Sequence, residues 1–452
     1  MAVGEVLPLL PGAGADRVVA WRRGAPVRAD EVLGHVLAVA QALPDAPAAI
    51  NLCLDRYWFA VGFLACAVRG VVNLLPSSNA PQHLASLVLQ NPGVIALGDQ
   101  ADPLMPGCPW RDIAVAASGA GKVPPDAQPL LPVERVVARF HTSGSTGEPK
   151  VCDKRWGLLQ AGHRAAAEVI RSAMGGAAPV VGTSSFRHMF GFEATVMLPL
   201  WAGGGLTSDT PFFPADVAAE LAALPEPALL VSTPYHLRKM LEADIDFPRC
   251  AGLLSATAPL SAELAEAAER RFRAPLLEVY GSTELGMLAT RRTSESTDWR
   301  LLPGFALSSC EEGFVATGHS LEAPQVLHDL IEPLGGGCFR LVDRSSNLIN
   351  VVGKRSSLGF LNQVLQGLPG VQDGVFCVPP DVAHHDVTRL AAFVVAPGLQ
   401  PADILAGLRP HVDAVFLPRP IVMLDALPRD ANAKLPAAAM QALMAEHLQR
   451  KP

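Results

Sequence analysis

Apolar positions in this chain come in blocks: short β-rich runs alternate with Ala- and Leu-rich stretches of helical length. Residues 48–54 read as a strand and 58–68 as the helix that follows it. The couplet recurs at 228–232 with 234–242 and at 252–255 with 261–271, and a further strand is expected at 276–279. Such alternation predicts parallel α/β layers. Ser261 offers a capping hydroxyl and Glu263 an acid in the first turn, which favour a helix start there. After Gly335-Gly336-Gly337 the pattern changes. Residues 338–342 and 347–352 are expected to pair as a hairpin turned through Asp343-Arg344-Ser345-Ser346. A shorter α+β pattern follows, with helices at 361–367 and 402–408 and strands at 375–378 and 390–395. The expected fold is α/β: a large N-terminal domain, 1–343, of layered subdomains with mostly parallel sheets, and a small C-terminal α+β domain, 344–452. Residues 427–434 read as a polar loop.

Composition narrows the classes. Hydrophobic residues make up 50% and charged residues 17%, which suits an enzyme with a large buried interior. A net charge of −7 without a basic face argues against nucleic-acid binding. Eight cysteines are scattered without a C-x-x-C, as expected of reduced thiols in a cytoplasmic protein. Cys152 is expected to pack rather than react. Residues 1–14 lack the positive start and cleavage site of a signal peptide. The most apolar stretch, 57–75, is broken by Arg69, Asn73, Gly62 and Gly70, so a buried helix entering a strand is expected rather than a membrane span.

The densest candidate chemistry is His141-Thr142-Ser143-Gly144-Ser145-Thr146-Gly147-Glu148-Pro149-Lys150, entered from an apolar run at 133–140. Glycine lets backbone N–H groups approach an anion, the hydroxyls add donors and lysine adds a point charge. This composition makes a phosphate cradle, although a flexible Ser/Gly turn has the same composition. The spacing is not that of the G-x-x-x-x-G-K-[ST] loop, because Pro149 stands five residues after Gly144 and no hydroxyl follows Lys150. A phosphotransferase of that kind is disfavoured. Tyr280-Gly281-Ser282-Thr283-Glu284 offers a stacking face and a carboxylate suited to Mg²⁺, Asp329 suits a ribose diol, and Lys434 lies in an exposed loop. Taken singly, each also fits a plainer role in core, cap or solvent. His384-His385-Asp386 lacks a further ligand set and reads as a solvated loop.

In this order the segments resemble the adenylate-forming superfamily of acyl- and aryl-CoA synthetases, peptide-synthetase adenylation domains and luciferase, over nearly the whole chain. Thr142 to Lys150 matches the family's phosphate loop, and Phe186-Arg187-His188-Met189-Phe190-Gly191 its aromatic acyl-pocket motif. Thr257-Ala258-Pro259 resembles the segment that touches adenine, and Tyr280 to Glu284 the Y-G-x-T-E motif. Asp329 and Arg344 fit the ribose acid and the arginine before the hinge; Gly353-Lys354-Arg355 resembles the thiol-transfer turn, and Lys434 the C-terminal catalytic lysine. The chain departs from the pattern at Leu327-His328 before the ribose acid, at Ser346 as hinge and at Ala433 before the lysine.

The resemblance implies that a carboxylate attacks the α-phosphate of ATP, releasing pyrophosphate, and that a thiol then displaces AMP. Lys434, Glu284, Thr283 and Lys150 are implied as catalytic, with Glu284 on Mg²⁺. Thr142, Ser143, Gly144, Ser145, Thr146, Gly147, Thr257, Ala258, Pro259, Tyr280, Gly281, Ser282, Asp329 and Arg344 are implied to hold the nucleotide. A mobile C-terminal domain would turn about Ser346 between the two steps. The acid pocket is expected from His188, Phe190, Ser232, Gly281 and Met287, whose imidazole, ring and hydroxyl suit an aryl acid such as a hydroxybenzoate or a cinnamate-like acid. No Asp stands where an ammonium would be gripped. The acceptor is expected to be the pantetheine thiol of CoA or of an acyl carrier protein. Residues 416–420 and 427–429 look similar to standalone ligases of bacterial aryl-polyene pigment clusters. The alternatives are a medium- or long-chain fatty acid ligase and a non-catalytic acyl-adenylate or nucleotide sensor.

Overall fold

The first sheet is buried because helices cover it on both faces. In Ala48–Asn51 all four residues are buried, and successive side chains point to opposite faces. Ala49, Leu75, Leu97, Ala138 and Phe140 enter the core built with the helices Ala29–Ala42 and Arg56–Arg69. Ile50, Leu74 and Ala96 enter the core covered by Pro81–Gln90, through Leu84 and Leu87. The structure is a computed structural model. It describes residues 4–12, 14–76, 81–100, 108–143, 149–311, 313–327, 329–344, 348–351, 354–379, 390–430 and 435–448.

The chain divides into two compact units. The first comprises Met1–Ala256, Ala262–Ala306 and Ala316–Gln325; the second comprises Thr257–Ser261, Leu307–Val315 and Val326–Pro452. The division expected near Asp343 falls inside the second unit, in the strand Cys338–Arg344.

In the first unit one sheet runs Pro149–Arg155, Val136–Ser143, Val72–Leu75, Ala48–Asn51, Ile95–Gly98, Trp110–Asp112. All its pairings are parallel except that of the first two strands. A second sheet has the parallel centre Val18–Arg22, Leu206–Thr207, Val180–Gly182, Leu229–Ser232, Gly252–Ser255, Leu276–Ser282. Antiparallel strands flank it, Ala25–Arg28 at one side and Gly286–Arg291 at the other. The expected layered, mostly parallel α/β architecture is present. The apolar stretch at 57–75 is the helix Arg56–Arg69, capped by Asp55 accepting from the Trp58 N–H and closed by Gly70, followed by the strand Val72–Leu75. Among the described residues no helix is long and apolar enough to cross a membrane.

The second unit holds the sheet Asp373–Cys377, Ala391–Val395, Ile421–Met423. Alternation along it sends Phe376, Ala392 and Val394 to the face of Leu358–Gly367 and Pro401–Leu408. Cys377, Ala391, Phe393 and Val395 meet Met440, Leu443 and Met444 of Ala437–Leu448. The expected hairpin between 338–342 and 347–352 is not formed. Cys338–Arg344 pairs backward with Asp329–Gly335, and Leu348–Val351 pairs forward with Lys354–Ser357. The glycine run is the reason: Gly336 and Gly337 take φ of 61° and 76°, the left-handed values that a two-residue hairpin turn requires.

One buried cation ties the helix Arg56–Arg69 to the second sheet. The fully buried Arg56 guanidinium donates to the carbonyls of Thr207 (2.7 Å), Asp209 (2.8 Å) and Gly182 (2.7 Å). Burial pulls it down to about 10, which still leaves it charged at neutral pH. Replacing Arg56 with Met strands these acceptors and should cost about 3 kcal/mol or more. A thermal-unfolding midpoint unchanged by Arg56→Met would overturn that role.

Candidate active site

Covered sheet faces leave the strand ends as the places where polar groups can meet a ligand, and in open α/β sheets ligands bind beyond the carboxyl ends. Thr183 follows Val180–Gly182, Ser232 ends Leu229–Ser232, and Thr257 follows Gly252–Ser255. Ser282 ends Leu276–Ser282, with Thr283 and Glu284 next. In the other sheet the carboxyl end of Val136–Ser143 carries Thr142 and Ser143, whose backbones pair with Lys150 and Pro149. The phosphate-loop residues Gly144, Ser145, Thr146 and Gly147 lie outside the described residues. Thr257 takes φ of 81°, strained for a β-branched residue, and its buried Oγ1 has no hydrogen-bond partner among the described residues.

The turn after Tyr280 is tightly determined. A bulge between Tyr280 and Gly281 brings the two strand backbones so close that a Cβ on Gly281 would lie 2.0 Å from the Gly286 carbonyl oxygen. The Leu285 N–H donates to Ser282 Oγ at 3.2 Å. From the strand Pro149–Arg155, the Cys152 thiol donates to the Thr283 carbonyl (3.5 Å) and Lys154 Nζ to the Glu284 carbonyl (3.2 Å). These bonds join the edge of the first sheet to the end of the second. Burial pushes the Cys152 thiol up, consistent with packing rather than reactivity. The Tyr280 ring lies 5.6 Å from Trp299, over which Arg291 sits at 4.4 Å while bonding the buried Glu278 at 2.7 Å.

A cavity of about 260 Å³ opens beside this turn, wholly within the first unit. Glu284, Gly286 and Met287 line it together with Lys154, His163, Met189 and Glu193. His163 belongs to Trp156–Met174, where Trp156, Leu159, His163, Ala166, Ala167 and Ile170 form one buried stripe at helical spacing. Its Nδ1 is 2.6 Å from the Leu159 carbonyl oxygen. Glu193 begins the π-helical turn Glu193–Met197, whose wider backbone ring interrupts the helical run between Met189–Phe192 and Leu198–Ala202. Its carboxylate accepts from the Met287 N–H and stands 3.6 Å from His163 Nε2. Burial drives both groups toward neutrality, lifting Glu193 to about 7 and lowering His163 to about 4. The contact is therefore not an ion pair, despite its distance.

Of the expected pocket residues, Met287 lines this cavity, while Phe190 and Ser232 are buried without lining it. Ser232 Oγ is 2.9 Å from Thr183 Oγ1, which in turn lies 3.0 Å from His236. His188 precedes the short helix Met189–Phe192, and its carbonyl accepts from the Phe192 N–H. In the second unit Asp329 opens its strand directly opposite Arg344. Lys434, Ser346, Gly353 and His384-His385-Asp386 lie outside the described residues. Arg429, five residues before Lys434, forms a two-bond contact with Asp373 at 2.6 and 2.7 Å. Sequence reasoning passed over His163, Lys154 and Glu193. The signal for Glu193 was a single acid inside the apolar run 189–200.

Residues 55–315 match the family described as AMP-binding enzyme. The chain belongs to that family: it is an AMP-forming ligase that activates a carboxylic acid with ATP and passes it to a thiol. A 4-coumarate–CoA ligase from Rhodobacter capsulatus is 32% identical over 283 residues, 62% of this chain and 69% of that protein. The structure of O-succinylbenzoate coenzyme A synthetase from Bacillus subtilis in complex with AMP is similar at a TM-score of 0.77 and 17% identity, with 99% of each chain covered. An anthranilate CoA ligase in complex with anthranoyl-AMP has a TM-score of 0.77 at 14% identity, covering 97% of this chain and 95% of that one. At these identities the two structural likenesses show the fold.

The buried acid makes stability depend on pH in a defined direction. Glu193 holds its proton to about 7 in the folded chain, against an ordinary value of 4.5, so the unfolded chain releases its proton first. Stability is full below 4.5 and falls as pH rises through 7. His163 loses stability in the opposite direction, as pH falls from 6.5 toward 4. Glu193→Gln removes only the first effect and should gain on the parent by about 2 kcal/mol between pH 5 and pH 8. A difference in unfolding midpoint that stays constant over this range would overturn the assignment of a buried neutral acid.

Proposed function

We propose that the acid is an aryl acid of the hydroxybenzoate or cinnamate kind, and that its acyl group passes to the pantetheine thiol of CoA or of an acyl carrier protein in the cytoplasm. The observation that carries the substrate class is the cavity itself. About 260 Å³ beside Glu284 and Met287 suits one ring with a short arm, since a 150 Å³ apolar cavity already takes benzene. A fatty acyl chain would meet the buried polar pair of Glu193 and His163 at its apolar end. The 4-coumarate–CoA ligase to which the chain is 32% identical supports the same class. Eight free cysteines support a reducing compartment.

In this reading the substrate carboxylate attacks the α-phosphorus of ATP, an acyl–phosphate bond forms, and the bond to the departing pyrophosphate breaks. Thr142, Ser143, Gly144, Ser145, Thr146, Gly147 and Lys150 hold the β- and γ-phosphates through hydroxyl, backbone and ammonium donors. Thr257, Ala258, Pro259, Tyr280, Gly281 and Ser282 border the adenine, Tyr280 by stacking, while Asp329 binds the ribose diol and Arg344 the adjoining phosphate side. Thr283 donates to the α-phosphate, and Lys434 bridges the two anionic reactants. Among the described residues no group of three or more acids, histidines or cysteines could hold a metal alone. Mg²⁺ needs only one or two carboxylates when phosphates supply the rest, and the exposed Glu284 fits that role. Bound there, the ion spreads phosphate charge. In the second step the thiol attacks the acyl carbon and AMP leaves, after the C-terminal domain has turned about Ser346 to present Gly353-Lys354-Arg355.

Pyrophosphate exchange into ATP with a panel of aryl and straight-chain acids tests the reading. Lys434→Ala should lower exchange about 10²- to 10³-fold while thioester formation from a synthetic acyl-adenylate is retained. Loss of both half-reactions together would remove Lys434 from the adenylation step. Exchange with straight-chain acids alone would overturn the aryl assignment.

A further inference from the structure

We infer that the floor of the cavity recognises a hydrogen-bond donor carried on the ring of the acid, a phenolic hydroxyl or a ring amino group, with the Glu193 carboxyl and the His163 imidazole as its acceptors. This rests on the aryl-acid reading above and adds to it the residues that decide among aryl acids.

Tautomer and burial carry the argument. A carbonyl oxygen only accepts, so the 2.6 Å contact with Leu159 places the ring hydrogen on His163 Nδ1. Nε2 then presents a lone pair, and this atom is buried with no hydrogen-bond partner among the described residues. Opposite it, at 3.6 Å, stands an oxygen of Glu193, whose residue is only 7% exposed. Nε2 and the Glu193 carboxyl thus face each other in a buried corner of the cavity, and at 3.6 Å they make no hydrogen bond to each other, so the Nε2 lone pair is unmet among the described residues. A buried acceptor left unsatisfied costs about 1–3 kcal/mol. A ring bearing an O–H or N–H supplies a donor to Nε2, whereas the same ring bearing hydrogen leaves that lone pair unmet.

Shape keeps the acid aimed there. A Cβ at Gly286 would lie 2.7 Å from the Glu193 carboxylate oxygen, and Gly286 also takes φ of 69°. The glycine of the segment Glu284-Leu285-Gly286 therefore makes room for this carboxyl group. Lys154 lines the same cavity and donates to the Glu284 carbonyl, which disfavours an aliphatic ammonium as the occupant.

The test compares kcat/KM for pyrophosphate exchange in matched pairs: cinnamate with para-hydroxycinnamate, and benzoate with its hydroxy and amino derivatives. The parent should favour a donor-bearing member over its partner by about 10²-fold or more, since a site built to bond a hydroxyl rejects the analogue that lacks it. Glu193→Leu and His163→Phe should bring that ratio to within about threefold. Glu193→Gln, isosteric with the neutral acid and able to accept through its amide oxygen, should keep the ratio within about threefold of the parent, and the parent's own ratio tests the inference even if the other variants fold poorly. Ring acids activated by the parent with no preference for donors, or a preference that survives both Glu193→Leu and His163→Phe, would overturn this inference and leave the aryl reading standing. Exchange with straight-chain or α-amino acids alone would overturn both.

Discussion

Everything at this site depends on the burial of parallel strands from both sides. Gly252–Ser255 is buried at all four residues and paired along both edges, so its faces and edges offer a ligand nothing. What remains is the line of carboxyl ends, where Thr183, Ser232, Thr257 and Thr283 stand on successive strands or just beyond them. A chain that forms such a sheet has little choice about where its chemistry goes. Thr257, two residues beyond Ser255, is a β-branched residue at positive φ whose hydroxyl has no hydrogen-bond partner among the described residues.

The two sheets of the first unit must also hold their ends in register, because a phosphate loop on one and a carboxylate turn on the other act on one nucleotide in the proposed reaction. The strand leaving the phosphate loop does this. Cys152 and Lys154 lie two residues apart on Pro149–Arg155 and reach the carbonyls of Thr283 and Glu284. The side-chain period of a strand puts both on one face, so a single edge strand fixes the turn at two successive carbonyls. Arg429 with Asp373 serves the corresponding purpose in the second unit, anchoring the backbone five residues before Lys434.

Much of the fold was legible in the pattern of the chain. Pro234–Glu242 and Gly252–Ser255 have the expected bounds, and the apolar stretch at 57–75 divides at Gly70 as its composition implied. The strand at 338–344 was recognised, yet its partner was assigned on the wrong side. Alternation tells a segment to be extended and says nothing about which neighbour will satisfy its backbone groups; the positive φ of Gly336 and Gly337 decided that.

The sequence alone determined that the hydroxyls, glycines and lysine of Thr142 to Lys150 stand together, because the grip on phosphate proposed for them draws on consecutive backbone N–H groups and hydroxyls that are contiguous in the chain. It also determined the α/β class, through blocks of strand and helix length. The tertiary structure alone decided that Glu193 meets His163, thirty residues away on another helix, beside Met287. Burial and the direction of a lone pair are properties of a shared enclosed space. A carboxyl in a π-helical turn and an imidazole on a helical stripe acquire them only when the chain has closed around both.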